Sequence, residues 1–288
     1  MQTQPHRDLR FFPVPEDRAR RRLSAQQVRD FNARGYLAGL PVFAPDEVVR
    51  NRAAFDDLLA QAARLGMHNY QLTNYERMCA CIHDLVTAPA LLDHVADILG
   101  DAFVCWGTHC FCKMPGDPKA VTWHQDATYW NLSPSKTVTA WLAIDDADVG
   151  NSAVRVIPGS HLLGPLPMRQ SRDDENNALW LTTDGAEGHG AAESMCLRAG
   201  EISLHTDLLL HDSLPNTSTR RRCGLAIRYC TTDVRIAGGG GRSAVICRGV
   251  DPEGYWQPMP RPDGDTITAT TVPVETSVSR AVDAYARP

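Results

Sequence analysis

Beyond Gly100 the chain stops reading as helix and starts reading as short strands, and that change limits the folds open to it. The run Phe103-Val104-Cys105-Trp106-Gly107-Thr108-His109-Cys110-Phe111-Cys112 is rich in aromatic and small apolar residues, as strands are. Further runs at Thr137 to Ile144, Ala153 to Ile157, Glu201 to Leu210 and Gly224 to Thr231 are separated by Gly, Pro, Asn and Asp turns. Short strands with that punctuation predict a sandwich or barrel. Three helical patterns precede them. Ser24, with Gln27 at the capping-box position, opens a short helix that stops at Gly35. Asp46 is expected to cap a longer helix through Val48, Phe55, Leu58 and Ala62, ending near Gly66. A third runs from about Ala88 to Leu99 and closes at Gly100.

At 288 residues the chain can bury a sizeable core. Residues 23–288 are expected to form one domain: a helical part over 23–100, a β core over about 101–235 and an irregular extension over 236–288, with one strand near Thr266 to Val272. Residues 1–22 are polar and Arg-rich, with Arg18, Arg20, Arg21 and Arg22, and lack the apolar stretch of a secretory signal. They are expected to be a flexible basic leader. Residues 165–195 are polar and poorly patterned, as long lids or disordered insertions are.

Hydrophobic content of 43% and charged content of 22% belong to an ordinary soluble protein. A net charge of −5 gives no electrostatic case for nucleic acid or an anionic membrane as partner. No apolar run approaches the ~20 residues of a spanning helix. The nine cysteines include Cys79-Ala-Cys81 and Cys110-Phe-Cys112 but no C-x-x-C, so reduced thiols in a cytoplasmic protein are expected.

The chemistry concentrates in Trp123-His124-Gln125-Asp126. A His and an Asp two residues apart on an extended segment point to the same side. With one more His from another strand they would form the two-imidazole, one-carboxylate set of a non-heme Fe(II) site. The pattern alone does not discriminate, because His205-Thr206-Asp207 matches it too. Context favours the first: Trp123, Tyr129 and Trp130 surround it as a wall that would exclude water. His205 and Asp207 read as packing residues or as support behind a site.

Trp-His-Gln-Asp-x-x-Tyr-Trp at 123–130, Arg155-Val156-Ile157-Pro158-Gly159-Ser160-His161, and His211-x-Ser213-x-x-Asn216 with arginine beyond it resemble the phytanoyl-CoA dioxygenase family of Fe(II)- and 2-oxoglutarate-dependent oxygenases. The resemblance runs over roughly Leu23 to Thr231. It implies a double-stranded β-helix, the cupin-like jelly roll, mostly β with flanking helices. It implies Fe(II), 2-oxoglutarate and O2 as cofactor and co-substrates, with His124, Asp126 and His211 as catalytic metal ligands. The family's co-substrate arginine falls eleven residues after the second His, at Arg222. A planar two-pronged donor suits the far carboxylate of 2-oxoglutarate, and Arg supplies one where Lys does not. Ser213 matches a hydroxyl sharing that carboxylate. Gln125 and Trp141 match positions beside the co-substrate. Related halogenases replace the carboxylate ligand with a small residue, so Asp126 favours hydroxylation of an unactivated C–H bond, or another oxidation, over halogenation.

Two departures stand out. Asn151-Ser152 replaces the family's Asn-Gly, which is expected to change the turn type. Asp212 replaces a Gly beside the second His and puts the local geometry in question. For the substrate, His109, Lys113, Trp130 and Arg228 are candidate contacts. They suit a small anionic or zwitterionic molecule. Two other readings share the ligand set: a non-catalytic cupin-like metal-binding or sensor protein, and a zinc hydrolase that would not need Arg222.

Overall fold

A computed structural model describes residues 7–70, 72–237 and 242–267. Four helices come early: α1 (Ala25–Arg34), α2 (Pro45–Arg64), α3 (Ala80–Val86) and α4 (Pro89–Leu99). The Ser24 hydroxyl accepts from Gln27 N–H at 3.1 Å while the Gln27 carbonyl accepts from Ser24 N–H at 2.8 Å. This is the reciprocal capping box that the sequence predicts. Gly35, at φ 82°, ends α1. In α2 the cap is Ala44, one residue before Pro45, and the Glu47 carboxylate accepts from Ala44 N–H at 2.8 Å. Asp46 therefore sits in the first turn, not at the cap, because Pro is best placed at the first helical position.

The strands are β1 (Tyr36–Pro41), β2 (Phe103–Lys113), β3 (Val121–His124), β4 (Thr137–Ala143), β5 (Arg155–Val156), β6 (Glu193–Ser194), β7 (Glu201–His205), β8 (His211–Ser213), β9 (Arg222–Thr231), β10 (Arg242–Arg248) and β11 (Trp256–Pro258). A seven-stranded sheet has the order β1-β7-β4-β9-β2-β10-β11, and a four-stranded sheet has the order β3-β8-β5-β6. Together they form the jelly roll.

Period-two alternation decides what each face of the large sheet does. Cys110, Cys112, Val138, Ala140, Leu142, Cys223, Leu225 and Ile227 point to one face, where they pack with Val28, Phe31, Phe55, Leu58, Leu91 and Val95 of the helices. His109, Phe111, Thr139, Trp141, Arg222, Ala226 and Arg228 point to the other and line a cavity of about 300 Å³. A strand buried on both faces carries apolar residues on the core side and functional ones on the cavity side.

Residues 7–22 differ from the expected flexible leader. The Asp97 carboxylate, fully buried, accepts the N–H groups of Arg21, Arg22 and Leu23, each at 2.8 Å. Val14 exchanges backbone bonds with the Asn32 side chain, and Arg18 donates to Ile98 C=O at 2.6 Å. These anchors are long-range, and composition does not reveal them. The extension after 236 also joins the fold: β10 pairs with β2, and Trp256 reaches the cavity. The strand expected near Thr266 to Val272 lies largely outside the described residues. Residues 165–195 pack as short turns and bridges, with Leu179 and Trp180 in the cavity wall.

Candidate metal centre

His124 ends β3 and His211 opens β8, where the two are direct cross-strand partners. Their rings lie 4.0 Å apart between centroids. The strand ends at His124, Gln125 stays extended, and Asp126 begins a one-turn helix, α5 (Asp126–Tyr129). Asp126 Oδ1 comes within 3.7 Å of His124 Nε2 and 4.0 Å of His211 Nε2. One donor atom from each of the three residues lies within 4.8 Å of the others.

The hydrogen bonds fix which nitrogens are available. His124 Nδ1 donates to Thr122 C=O at 2.8 Å, and His211 Nδ1 donates to Leu209 C=O at 2.9 Å. Each Nε2 is left with its lone pair toward Asp126. Burial, then the neighbouring His211, holds His124 neutral well below its ordinary range. Neutral imidazoles and one carboxylate facing a cavity are the donors a divalent transition metal requires.

Arg222 lies deeper in the same cavity and is 1% exposed. Its Nε donates to Ser152 C=O at 3.0 Å, Nη1 to Phe111 C=O at 3.1 Å and Nη2 to Ser213 Oγ at 3.3 Å. Three of five donors are thus used, and no carboxylate pairs with the group among the described residues. Its guanidinium stands 5.4 Å from the Trp141 ring centroid. Gly224 makes that arrangement possible: a Cβ there would lie 1.9 Å from Trp141 Cζ2. Ser152 occupies the left-handed region at φ 74° and ψ 48°. The turn therefore keeps the conformation Gly would take, and through its carbonyl Ser152 orients Arg222.

The remaining candidates divide. Trp130, His109 and Arg228 line the cavity. His109 Nε2 bonds with Tyr70 C=O at 2.9 Å, and burial pushes its pKa down to about 4. Gln125 does not face the site: its amide donates to Gly164 C=O at 2.9 Å and Leu208 C=O at 2.6 Å and accepts from Leu166 N–H at 2.7 Å. Trp123 also points away, donating to Glu187 at 2.8 Å under the Arg155 guanidinium. Both residues flank His124, so strand alternation sends them to the opposite face. Lys113 is buried beyond the cavity and donates to the carbonyls of Ser213 (3.1 Å) and Leu214. Burial, then the charge of Arg222, lowers its pKa to about 7. Asp212 turns to Arg155, which grips both its oxygens, and so leaves the metal position alone.

One residue read as packing belongs here. His205 lines the cavity 4.9 Å from the His211 ring, and its buried Nδ1 has no partner. Asp207 turns the other way, accepting from Ser135 Oγ at 2.5 Å, and burial raises its pKa to about 6. The signal in sequence was the second His-x-Asp match, but only the β7–β4 register shows which of the pair faces inward.

A jelly roll holding two imidazoles and a carboxylate above a buried, unpaired arginine defines a 2-oxoglutarate-dependent non-heme iron oxygenase. A sequence model of the phytanoyl-CoA dioxygenase family matches residues 31–224, and the chain belongs to that family. The dioxygenase lolE1 of Epichloe uncinata is 24% identical over 229 residues, 72% of this chain and 82% of that protein. The L-proline trans-4-hydroxylase of Streptomyces griseoviridis is 26% identical over 174 residues, 54% of this chain and 64% of that one. Among solved structures, the non-heme monooxygenase ThoJ superposes with a TM-score of 0.74 at 27% identity, covering 89% of this chain and 98% of its own. No helix among the described residues is long and apolar enough to cross a membrane.

Proposed function

We propose that the chain hydroxylates an unactivated C–H bond of a small molecule, with His124, Asp126 and His211 holding Fe(II) and Arg222 receiving 2-oxoglutarate. Bound there, the metal would activate dioxygen at the expense of the oxoacid, releasing succinate and CO2. The protein's part is to orient and to exclude water. Arg222 offers its two remaining N–H groups to the distal carboxylate, with the Ser213 hydroxyl beside them. Trp141 holds the guanidinium from below. Tyr129 and Trp130 line the cavity near the metal position and keep it apolar. The substrate would lie against His109 and Trp130.

The observation that carries this reading is Arg222: a buried cation, without a carboxylate, in the same cavity as a three-donor metal cluster. Losing a buried charged partner costs about 2–5 kcal/mol, so Arg222→Ala should raise the Kd for 2-oxoglutarate at least ~30-fold. Metal stoichiometry should not change. Calorimetric titration under anaerobic conditions checks this. Unchanged oxoacid affinity in the variant removes Arg222 from the role. A metal-loaded wild-type protein that ignores 2-oxoglutarate would instead be a sensor or a hydrolase.

A further inference from the structure

Charge bookkeeping across the cavity narrows what the substrate can be. Among the described residues the arginines that line it are Arg77, Arg222 and Arg228. Arg77 is paired with Glu76 at 3.2 Å, and Arg222 is taken up in the proposed co-substrate site. Arg228 makes no hydrogen bond and no ion pair among the described residues, and its Nε is buried without a partner. Its guanidinium lies against two indoles, 5.7 Å from the Trp106 centroid and 5.2 Å from that of Trp130. The two indoles meet edge to face, with centroids 4.8 Å apart. A cation in such a place is costly unless an anion joins it.

The lining acids are already engaged. Asp126 belongs to the metal cluster, and Asp212 is gripped by Arg155. Among the described residues no other Asp or Glu lines the cavity, so an ammonium group would find no free counter-charge there. Asn131 offers a buried Oδ1 that has no partner among the described residues and is a neutral acceptor. The rest of the lining near Arg228 combines aromatic and apolar side chains, Trp106, Trp130, Trp256 and Ile236, with neutral polar ones such as Thr139, its cross-strand neighbour.

We infer that the substrate is an apolar, flat-bodied monoanion whose carboxylate is seated on Arg228 beside Trp106 and Trp130, and that amino-acid zwitterions are excluded. This rests on the oxygenase reading, which assigns Arg222 to the co-substrate. Arg222 and Arg228 lie six residues apart on β9 and on the same face, a separation of roughly 20 Å along the strand. The two anions would therefore sit at separate positions along one strand, with Ala226 between them. The sheet register agrees with the placement: Thr139 lies between Arg228 and His205 on neighbouring strands, and His205 stands beside His211.

The test uses anaerobic protein saturated with Fe(II) and 2-oxoglutarate, titrated calorimetrically with two matched series. One is 3-phenylpropanoate, 3-phenylpropanamide and L-phenylalanine; the other is the indole-3-propanoate, its amide and L-tryptophan. In at least one series the acid should bind at least tenfold more tightly than both its amide and its amino acid. Arg228→Gln should abolish the difference between acid and amide, while its 2-oxoglutarate affinity stays within twofold of wild type. Should Arg228→Gln fail to fold, Arg228→Lys keeps the charge but not the fork and should lose at least half the discrimination. The inference is overturned if amide or amino acid binds as well as the acid, if no acid binds, or if either variant keeps full discrimination. If the wild-type protein does not bind 2-oxoglutarate, the oxygenase reading falls. Sensitivity of acid binding to Arg228→Gln still decides the anchor separately.

Discussion

Gly224→Ala is the most direct test of how the co-substrate end is built. The new methyl would stand 1.9 Å from Trp141 Cζ2, 2.3 Å from Cη2 and 2.4 Å from Cε2, whereas ordinary contact begins at 3.4 Å. The ring must move by about 1.5 Å, the difference between 3.4 and 1.9 Å. Trp141 is only 4% exposed and cannot retreat into the sheet, so it moves into the cavity, toward the guanidinium 5.4 Å away. Overpacking of this kind costs about 1–3 kcal/mol, and at this size each kcal/mol lowers Tm by roughly 2–4 °C. The same movement narrows the space for the distal carboxylate, and 2-oxoglutarate affinity should fall about tenfold. Chemical denaturation and anaerobic oxoacid titration measure the two effects. A cycle with Trp141→Leu isolates the cause, since a smaller side chain should accept the methyl and yield a coupling of about 2 kcal/mol. If the two substitutions add independently, or if Gly224→Ala is neutral in both assays, the indole is not what Gly224 accommodates.

Two further outcomes follow from the site. Asp126→Ala removes the only charged member of the donor set, and metal affinity should fall by at least about tenfold, read by competition with a chelator. Metal affinity equal to that of the wild type would dismiss Asp126 as a ligand. His109 has a folded pKa near 4 against an ordinary 6.5, so the fold disfavours its charged form. Its contribution is complete above about pH 6.5 and is lost as pH falls toward about 4, where the unfolded chain takes a proton that the folded one refuses. The full span corresponds to about 3 kcal/mol. His109→Gln should flatten urea-midpoint curves over that window, and parallel curves for the two proteins would contradict the sign.

Much of the centre was legible because it depends on short-range rules. His-x-Asp spacing occurs twice, so aromatic context and the family resemblance single out His124 and Asp126, and the resemblance places the arginine at Arg222, eleven residues after His211. Strand alternation was also available in the sequence, and it correctly excludes Trp123 and Gln125 from the face that carries His124. Lys113 shares parity with His109 and Phe111, yet it leaves the cavity because β2 ends there and two carbonyls take its ammonium. The inward turn of His205 was not legible, because it depends on the register of β7 against β4. Nor were β1 and α3, which are short and carry no clean period. The order in residues 7–22 depends on acceptors some eighty positions away, such as Ile98 C=O and the Asp97 carboxylate.

That first segment has a practical consequence. Arg7 clasps the carbonyls of Ala127 and Trp130, at 3.2 and 2.8 Å, at either end of the turn that begins with Asp126. Asp8 and Ser135 add a backbone bond of 2.9 Å nearby. Shortening the chain to Leu23, a natural choice for anyone trimming an arginine-rich end before crystallisation, would unclasp the ligand-bearing turn. It would also strip two of the three N–H donors from the carboxylate of Asp97. A preparation trimmed in this way could lose its metal for reasons unconnected with the metal's own ligands.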